Sequence, residues 1–431
     1  IQYVLMTIAS VMIAVVAMKH TTAAQITASV PDGWHNVFFG WKLNLDWSQQ
    51  IPELNNLIGK QGYELFTILF MMMLFKGVLL SIAGPAPNYD MQRILSTKSP
   101  REAAKMSWFV SIVLFFPRYL MVTGIVVLGL VFFKEEIVKM GGAFDVEQVL
   151  PNVISKFLPP GLIGFALAGL LAAFMSTFTS TINAGASYIV NDLYKKHINI
   201  GKPEKHYVRA SYVCSLIVVV VGIAFGFLTE SVNTITMWIV NGLWGAYVAT
   251  NVLKWYWWRF NGMGYFYGMI SGIVAAICIP NIPQIFRDQT VLWNIEKNMA
   301  LFPFVLAISA ATAVIVSLTT QPDDIEVLKK FYKQVRPWGC WSPIRDMVMA
   351  EDPSFKPNTN FKRDMLNVAV GIVWQTTLVL IPIYLVIKSF REMWITIAVL
   401  VITSIFLKFN WYNNSKKTDR DVMLNKVKHL G

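Results

Sequence analysis

Apolar residues run along this chain in ten stretches long enough, or nearly so, to cross a bilayer: 1–18, 65–84, 106–133, 161–190, 208–229, 233–253, 265–280, 299–319, 365–387 and 393–410. A helix needs about 20 such residues to span the hydrocarbon. The seventh stretch is short and has aromatic flanks. Backbone groups in lipid must be bonded within a helix or a closed barrel, and the alternating pattern of barrel strands is missing here. The pattern predicts an all-α polytopic membrane protein with about ten transmembrane helices. The first run starts at Ile1 with no basic flank and no cleavage motif. It is therefore read as a membrane helix rather than a signal peptide, and the chain as one cut inside a longer protein.

Composition narrows the class further. Of 431 residues 55% are hydrophobic and 14% charged, where a soluble domain has about 25% charged. So few charges cannot cover a soluble surface of this size. The formal charge of +12 would suggest nucleic acid on a soluble protein, but the bases fall in particular loops. Loop 85–105 carries Arg93, Lys98, Arg101 and Lys105, and loop 191–207 carries Lys195, Lys196, Lys202 and Lys205. Loop 320–364 has eight basic residues and the tail after 410 has five. If the ten segments alternate, all four lie on one side, which the positive-inside rule makes cytoplasmic together with both termini. The short loop with Lys388 and Arg391 goes against the rule.

Several motifs carry no chemistry. Cys214, Cys278 and Cys340 form no CxxC pair, so no metal knuckle or redox motif is indicated. The five histidines lie outside the long apolar runs, against a haem or metal site between helices. The aromatic run KWYWWRF at 254–260 reads as an interfacial belt and not as a nucleic-acid platform. Residues 34–60 mix Trp and Phe with polar residues and read as interfacial helices. GMGYFYG at 262–268 has no βαβ unit around it and is no dinucleotide fingerprint. No His/Asp/Glu constellation lies in the segments, so a membrane enzyme is the weakest class.

Ionisable groups within membrane helices are functional candidates by default. No Asp or Glu lies within the ten segments, which weakens a proton pump. Lys76 lies about 12 Å deep by helical rise, long for snorkelling, and Arg118 follows Pro117 near the middle of the third segment. Either could meet an anionic or hydroxyl-rich solute. The most informative stretch is 161–190. At 100° per residue, Gly169, Ala172, Ser176, Thr179, Ser180, Asn183 and Ser187 fall within about 60° of Ser176. Ala173 lies at the border of that arc and Thr177 beyond it, while Leu171, Phe174, Met175, Phe178, Ile182 and Ile189 lie opposite. Small residues on one face serve close helix packing. Hydroxyls plus a freed carbonyl also suit a hard cation such as sodium. In GPAPNYDMQRIL (84–95) two prolines end the second helix, and Asp90 and Arg93 are spaced to pair.

Three stretches resemble the sodium:solute symporter family, which includes the sodium/glucose cotransporters. They are NYDMQRILSTKSPREAAK (88–105), AGLLAAFMSTFTSTINAGASYIVNDLYKK (168–196), and IQ at 1–2, similar to the end of a Thr-Asp-x-Ile-Gln pattern. The resemblance implies a LeuT-like fold of two inverted five-helix repeats, with most of the first repeat missing here. Residues 1–253 would be core helices, namely the fifth of the first repeat and the whole second repeat. Residues 254–431 would be peripheral helices with the basic loop 320–364 and the tail. It implies sodium ligands at the Ala173 carbonyl and the Ser176 and Thr177 hydroxyls. A second sodium would use Ser176, Thr179 and Ser180, with a carboxylate placed before Ile1. SIAGPAP (81–87) lacks the aromatics of sugar-binding members. Sugar, sugar acid and other organic anions therefore stay open as solute, with Lys76, Ser81, Arg118 and Asn241 as candidate contacts.

The expected activity is sodium-coupled symport of a small polar solute by alternating access, with Na+ as coupling ion and no cofactor. The setting would be a bacterial inner membrane. The partners would be solute, sodium and the lipid bilayer, without nucleic acid, and a monomer would suffice. The isolated 431-residue chain would not transport. The competing reading is a transport-inactive half-protein acting as a sensor or interaction subunit.

Overall fold

The computed structural model describes residues 2–36, 45–52, 54–55, 74–75, 77–84, 94–136, 148–227, 244–278 and 297–414. Among these the regular structure is helical, apart from one isolated bridge between Trp257 and Cys340. In chain order the helices are α1 (Gln2–His20), α2 (Ala23–Ser29), α3 (Pro100–Phe132), α4 (Val149–Phe157), α5 (Pro160–Tyr188), α6 (Glu204–Phe227), α7 (Trp244–Tyr256), α8 (Gly262–Cys278), α9 (Lys297–Thr319), α10 (Ile325–Val335), α11 (Ser342–Glu351), α12 (Phe361–Val386) and α13 (Phe390–Leu407). Seven described segments are long and apolar enough to cross a membrane: Tyr3–His20, Arg101–Phe132, Pro160–Ile198, Glu204–Phe227, Phe302–Thr319, Phe361–Val386 and Phe390–Tyr412. The expected seventh stretch is α8, an apolar helix of 17 residues. The second (65–84) lies largely outside the described residues, as does the first half of the sixth (233–253). The chain is an all-α polytopic membrane protein.

Two compact units share the chain. The first comprises Ile1–Asp32, Asn88–Glu230 and Leu366–Gly431. In it α1 packs against both α3 and α5, because glycines let the backbones approach. A Cβ on Gly124 of α3 would sit 3.0 Å from Ile13 Cγ2 and 3.3 Å from the Ile13 carbonyl, and one on Gly169 of α5 would sit 3.3 Å from Met6 Sδ. Ala9, Ile13, Leu158 and Ala166 form the core of this contact. At the far end of α1, the Thr22 side chain caps α2 and Gln25 returns the bond to the Thr22 amide at 2.9 Å, a capping box.

Lys388, the exception to the charge rule, has a structural reason. Its φ is +64°, a left-handed conformation that favours glycine. Its ammonium nonetheless reaches the end of α1, donating to Met18 O at 2.9 Å and to Thr21 O. A cation at a helix C-terminus satisfies orphan carbonyls and the helix dipole together.

The second unit comprises Gly33–Pro87 and Ser231–Met365. Its centre is α7, α8 and α9, sealed by glycines at every fourth position of α8. Gly264 faces Ala313 and Ser317, Gly268 faces Ala313 and Thr250, and Gly272 faces Ala246 and Ser309. The buried Ser309 hydroxyl lies 2.8 Å from Gly268 O and 3.2 Å from Ala246 O, so one donor ties three helices. GMGYFYG thus begins a small-xxx-small packing stripe.

The basic loop 320–364 is itself folded. The Asp324 side chain caps α10, and α10 and α11 form a hairpin over a core of Leu328, Tyr332, Trp341, Ile344 and Val348. KWYWWRF is not a displayed belt but the strip on which this hairpin docks. Cys340 N donates to Tyr256 O at 2.7 Å, and Trp341 Nε1 to Trp255 O at 2.9 Å. Gly339, with φ +99°, permits the approach, since a Cβ there would meet Tyr256 O at 2.5 Å. On the hairpin surface Lys329 bonds Glu326 at 2.8 Å and Glu351 at 2.5 Å, and Lys333 bonds Glu351 at 3.0 Å.

Candidate functional site

The site is built on α5. Pro160 opens the helix at a position where a missing N–H costs nothing, and the helix continues through Tyr188 into a π-helical turn at Ile189–Ile198. The helix is unbroken across 173–177, so the Ala173 carbonyl is not freed as the sequence reading supposed. It sits inside the helical ladder, where only its second lone pair is available to a cation.

The face predicted to be small and polar divides in two. Its first half is covered, with Ala166 and Gly169 buried against α1. Leu5 and Met6 lie against Gly169, while Ala9 and Ile13 share a core with Ala166 and Leu158. The two helices are therefore antiparallel. C-terminal to this covered stretch of α5 the hydroxyls begin. Ser176, Thr177 and Thr179 are exposed, and their hydroxyls make no hydrogen bond among the described residues. Ser180, half-buried, donates to Ser176 O, and Thr181 donates to Thr177 O at 2.9 Å. The expected ligand set is thus three unengaged hydroxyls with one engaged neighbour, on about one turn. The opposite face is bulky and exposed, with Leu171 at 59% and Phe174 at 60%, as a lipid-facing surface would be.

Two of the solute candidates, Arg118 and Ser81, fall on described residues. Arg118 is exposed in the middle of α3, one residue past Pro117, with no hydrogen bond or ion pair among the described residues. Ser81 belongs to the second unit, is exposed, and donates to Gly77 O at 2.9 Å. Lys76 and Asn241 lie outside the described residues, as do Asp90 and Arg93. No group of three or more His, Cys, Asp or Glu able to hold a metal occurs among the described residues. A cation here would rely on hydroxyl and carbonyl oxygens.

Residues 1–272 match the family model of the sodium:solute symporters. The chain belongs to the sodium:solute symporter family. Its relatives are transporters. One is the sodium/pantothenate symporter of Haemophilus influenzae, 30% identical over 142 residues, which are 32% of this chain and 28% of that protein. Another is sodium/glucose cotransporter 1 of Oryctolagus cuniculus, 27% identical over 213 residues, covering 44% of this chain and 30% of the relative. A third is the sodium/proline symporter of H. influenzae, 22% identical over 191 residues, covering 43% and 36%. The matched part of this symporter-family chain spans about a third of the length of these relatives. The residues matched by the family model, 1–272, include α1, α3 and α5.

Pattern alone gives the angle of a residue around a helix and not which neighbour covers it, as α1 covers Ala166 and Gly169. The signal in the sequence for the α8 packing stripe is the fourth-residue spacing of Gly264, Gly268 and Gly272.

Proposed function

We propose that this protein works as a sodium-coupled secondary active symporter of a small polar solute, such as a sugar, a sugar acid or another organic anion, by alternating access. In this reading α1 is the fifth core helix of a LeuT-like inverted repeat, residues 65–253 are the second repeat, and 254–431 are peripheral. Sodium binds the Ala173 carbonyl and the Ser176 and Thr177 hydroxyls. A second sodium uses Ser176, Thr179 and Ser180, the last after its hydroxyl leaves Ser176 O. The observation that carries the reading is the run of unengaged hydroxyls on α5 at Ser176, Thr177 and Thr179. A hydroxyl in lipid otherwise bonds its own i−4 carbonyl, as Thr181 does. The Arg118 guanidinium supports an anionic or hydroxyl-rich solute, because an unpaired cation at mid-helix is costly unless it faces a polar cavity.

The test is sodium-gradient uptake into proteoliposomes holding the full-length protein, with labelled glucose, myo-inositol, glucuronate, pantothenate and proline offered singly. Accumulation of one solute is expected, together with a tenfold or greater loss of apparent sodium affinity in Ser176→Ala and Thr177→Val. Sodium dependence identical to wild type in both variants would refute the ligand assignment. Uptake unaffected by Arg118→Gln would remove that residue from the solute site.

A further inference from the structure

Helices α3, α12 and α13 of the first unit meet through long side chains rather than close backbones. Trp108 stacks on Trp374 with centroids 6.0 Å apart, and Gln375 Nε2 donates to Ser111 Oγ at 3.2 Å. Trp374 Nε1 donates to Ser404 Oγ at 2.9 Å, and Asn410 Nδ2 to Asn367 Oδ1 at 2.9 Å. The space left between them is a cavity of about 510 Å³. Its walls are Trp108, Phe109, Trp374 and Leu407, with Lys105 and Lys408 on the rim. Among the described residues no Asp or Glu lines it.

The rim is cationic beyond those lysines. Tyr412, also in the lining, takes a hydrogen bond from Arg101 Nη2 at 2.7 Å, and the guanidinium carbon lies 4.7 Å from the ring centroid. The Lys105 ammonium is 5.9 Å from the same ring. Arg101 Nε is buried with no hydrogen-bond partner among the described residues. The nearest acidic residue along the helix, Glu102, is taken up by the Lys98 amide at 3.1 Å.

We propose that this cavity is a binding site for an anionic phospholipid, its acyl chain between Trp108, Phe109, Trp374 and Leu407 and its phosphate at Lys105, Lys408 and Arg101. The chemistry selects the class. Aromatic and aliphatic walls exclude a free sugar or phosphate, which would lose hydration without hydrogen bonds in return. A zwitterionic lipid brings its own ammonium against three cations. A single acidic headgroup at the base-rich membrane surface answers both requirements.

The test is native mass spectrometry of the full chain, released from micelles that contain equal amounts of phosphatidylglycerol and phosphatidylcholine. Wild type should retain phosphatidylglycerol preferentially. Removing two interfacial cations in Lys105→Gln/Lys408→Gln should lower that preference by roughly 30-fold. Lys105→Arg/Lys408→Arg should keep it, and so should the remote control Lys195→Gln/Lys196→Gln. Leu407→Trp, which fills the slot and leaves the charges, should lower retention as well. Equal retention of the two lipids by wild type would overturn the proposal. So would an unchanged preference in Lys105→Gln/Lys408→Gln, or displacement of the lipid by excess glycerol 3-phosphate.

Discussion

Gly272→Ala should destabilise the second unit, although alanine is the better helix former by about 1 kcal/mol. The added Cβ would lie 2.5 Å from Ala246 Cβ, 2.8 Å from Ala246 Cα and 3.1 Å from Ser309 Cβ. Carbon atoms rest at about 3.5–4.0 Å, so α7 and α8 must separate by roughly 1 Å at this crossing. Two of these contacts are to the body of α7 and not to a flexible tip, so no rotamer change relieves them. Overpacking of this kind costs about 1–3 kcal/mol. The separation also stretches the Ser309 bonds to Gly268 O and Ala246 O, and an interhelical bond in a membrane averages about 0.6 kcal/mol. With the helix propensity of alanine set against these, the expected loss is about 1–3 kcal/mol, read from reversible unfolding in mixed micelles titrated with dodecyl sulfate. Gly222→Ala in α6, whose Cβ would meet nothing within 4 Å, should be neutral or stabilising by up to about 1 kcal/mol. Adding Ala246→Gly to Gly272→Ala should recover most of the loss. The packing argument fails if Gly272→Ala is as stable as wild type, or if Gly222→Ala loses as much.

Two further predictions concern single charges. Lys388→Met should cost about 2 kcal/mol, because it removes charged donors from the Met18 and Thr21 carbonyls. Lys388→Gly should cost about 1 kcal/mol less than that, since it also relieves the left-handed backbone. The reverse order in the same unfolding assay would refute this account. In the α10–α11 hairpin, Glu326 and then Glu351 push the Lys329 ammonium up to about 12, while Lys329 and then Lys333 hold the Glu351 carboxyl below its ordinary 4.5. The depressed Glu351 contributes stability above pH 4.5 that is lost as pH falls through its folded value. The raised Lys329 contributes stability below pH 10.5 that is lost as pH rises through about 12. Hydrogen exchange of hairpin peptides, corrected for the intrinsic rate, should show protection flat between these limits. Glu351→Gln should shrink the acid limb to the part from Asp352, whose carboxyl the Ser354 hydroxyl and amide also hold below its ordinary value, and an acid limb of unchanged size would assign it elsewhere.

Much of this architecture could be read from the chain because membrane spans are written in long, strong signals. Each of the ten stretches that falls on described residues is helical, and the helix 161–190 ends within two residues of its expected limit. What the sequence concealed depends on meetings between distant segments. Lys388 looked like an error of topology until its partners, about 370 positions away, were known. KWYWWRF has the composition of a lipid-facing belt, and only the approach of Gly339 to Tyr256 distinguishes a docking strip from one. On α5 Ser176, Thr179 and Ser180 share one arc by helical periodicity. Whether a hydroxyl there is engaged depends on rotamers, and Ser180 and Ser176 differ in this although they share a face.

The bond from Lys388 to the last turn of α1 also limits how that helix can move. A single flexible side chain grips two carbonyls at one end, while the other end lies between glycine-thinned surfaces of α3 and α5. A rod held in this way can tilt and rotate about its pinned end, but sliding along its own axis would break both bonds at once. Any rearrangement of α1 is therefore a swing about Thr21, smallest beside Lys388.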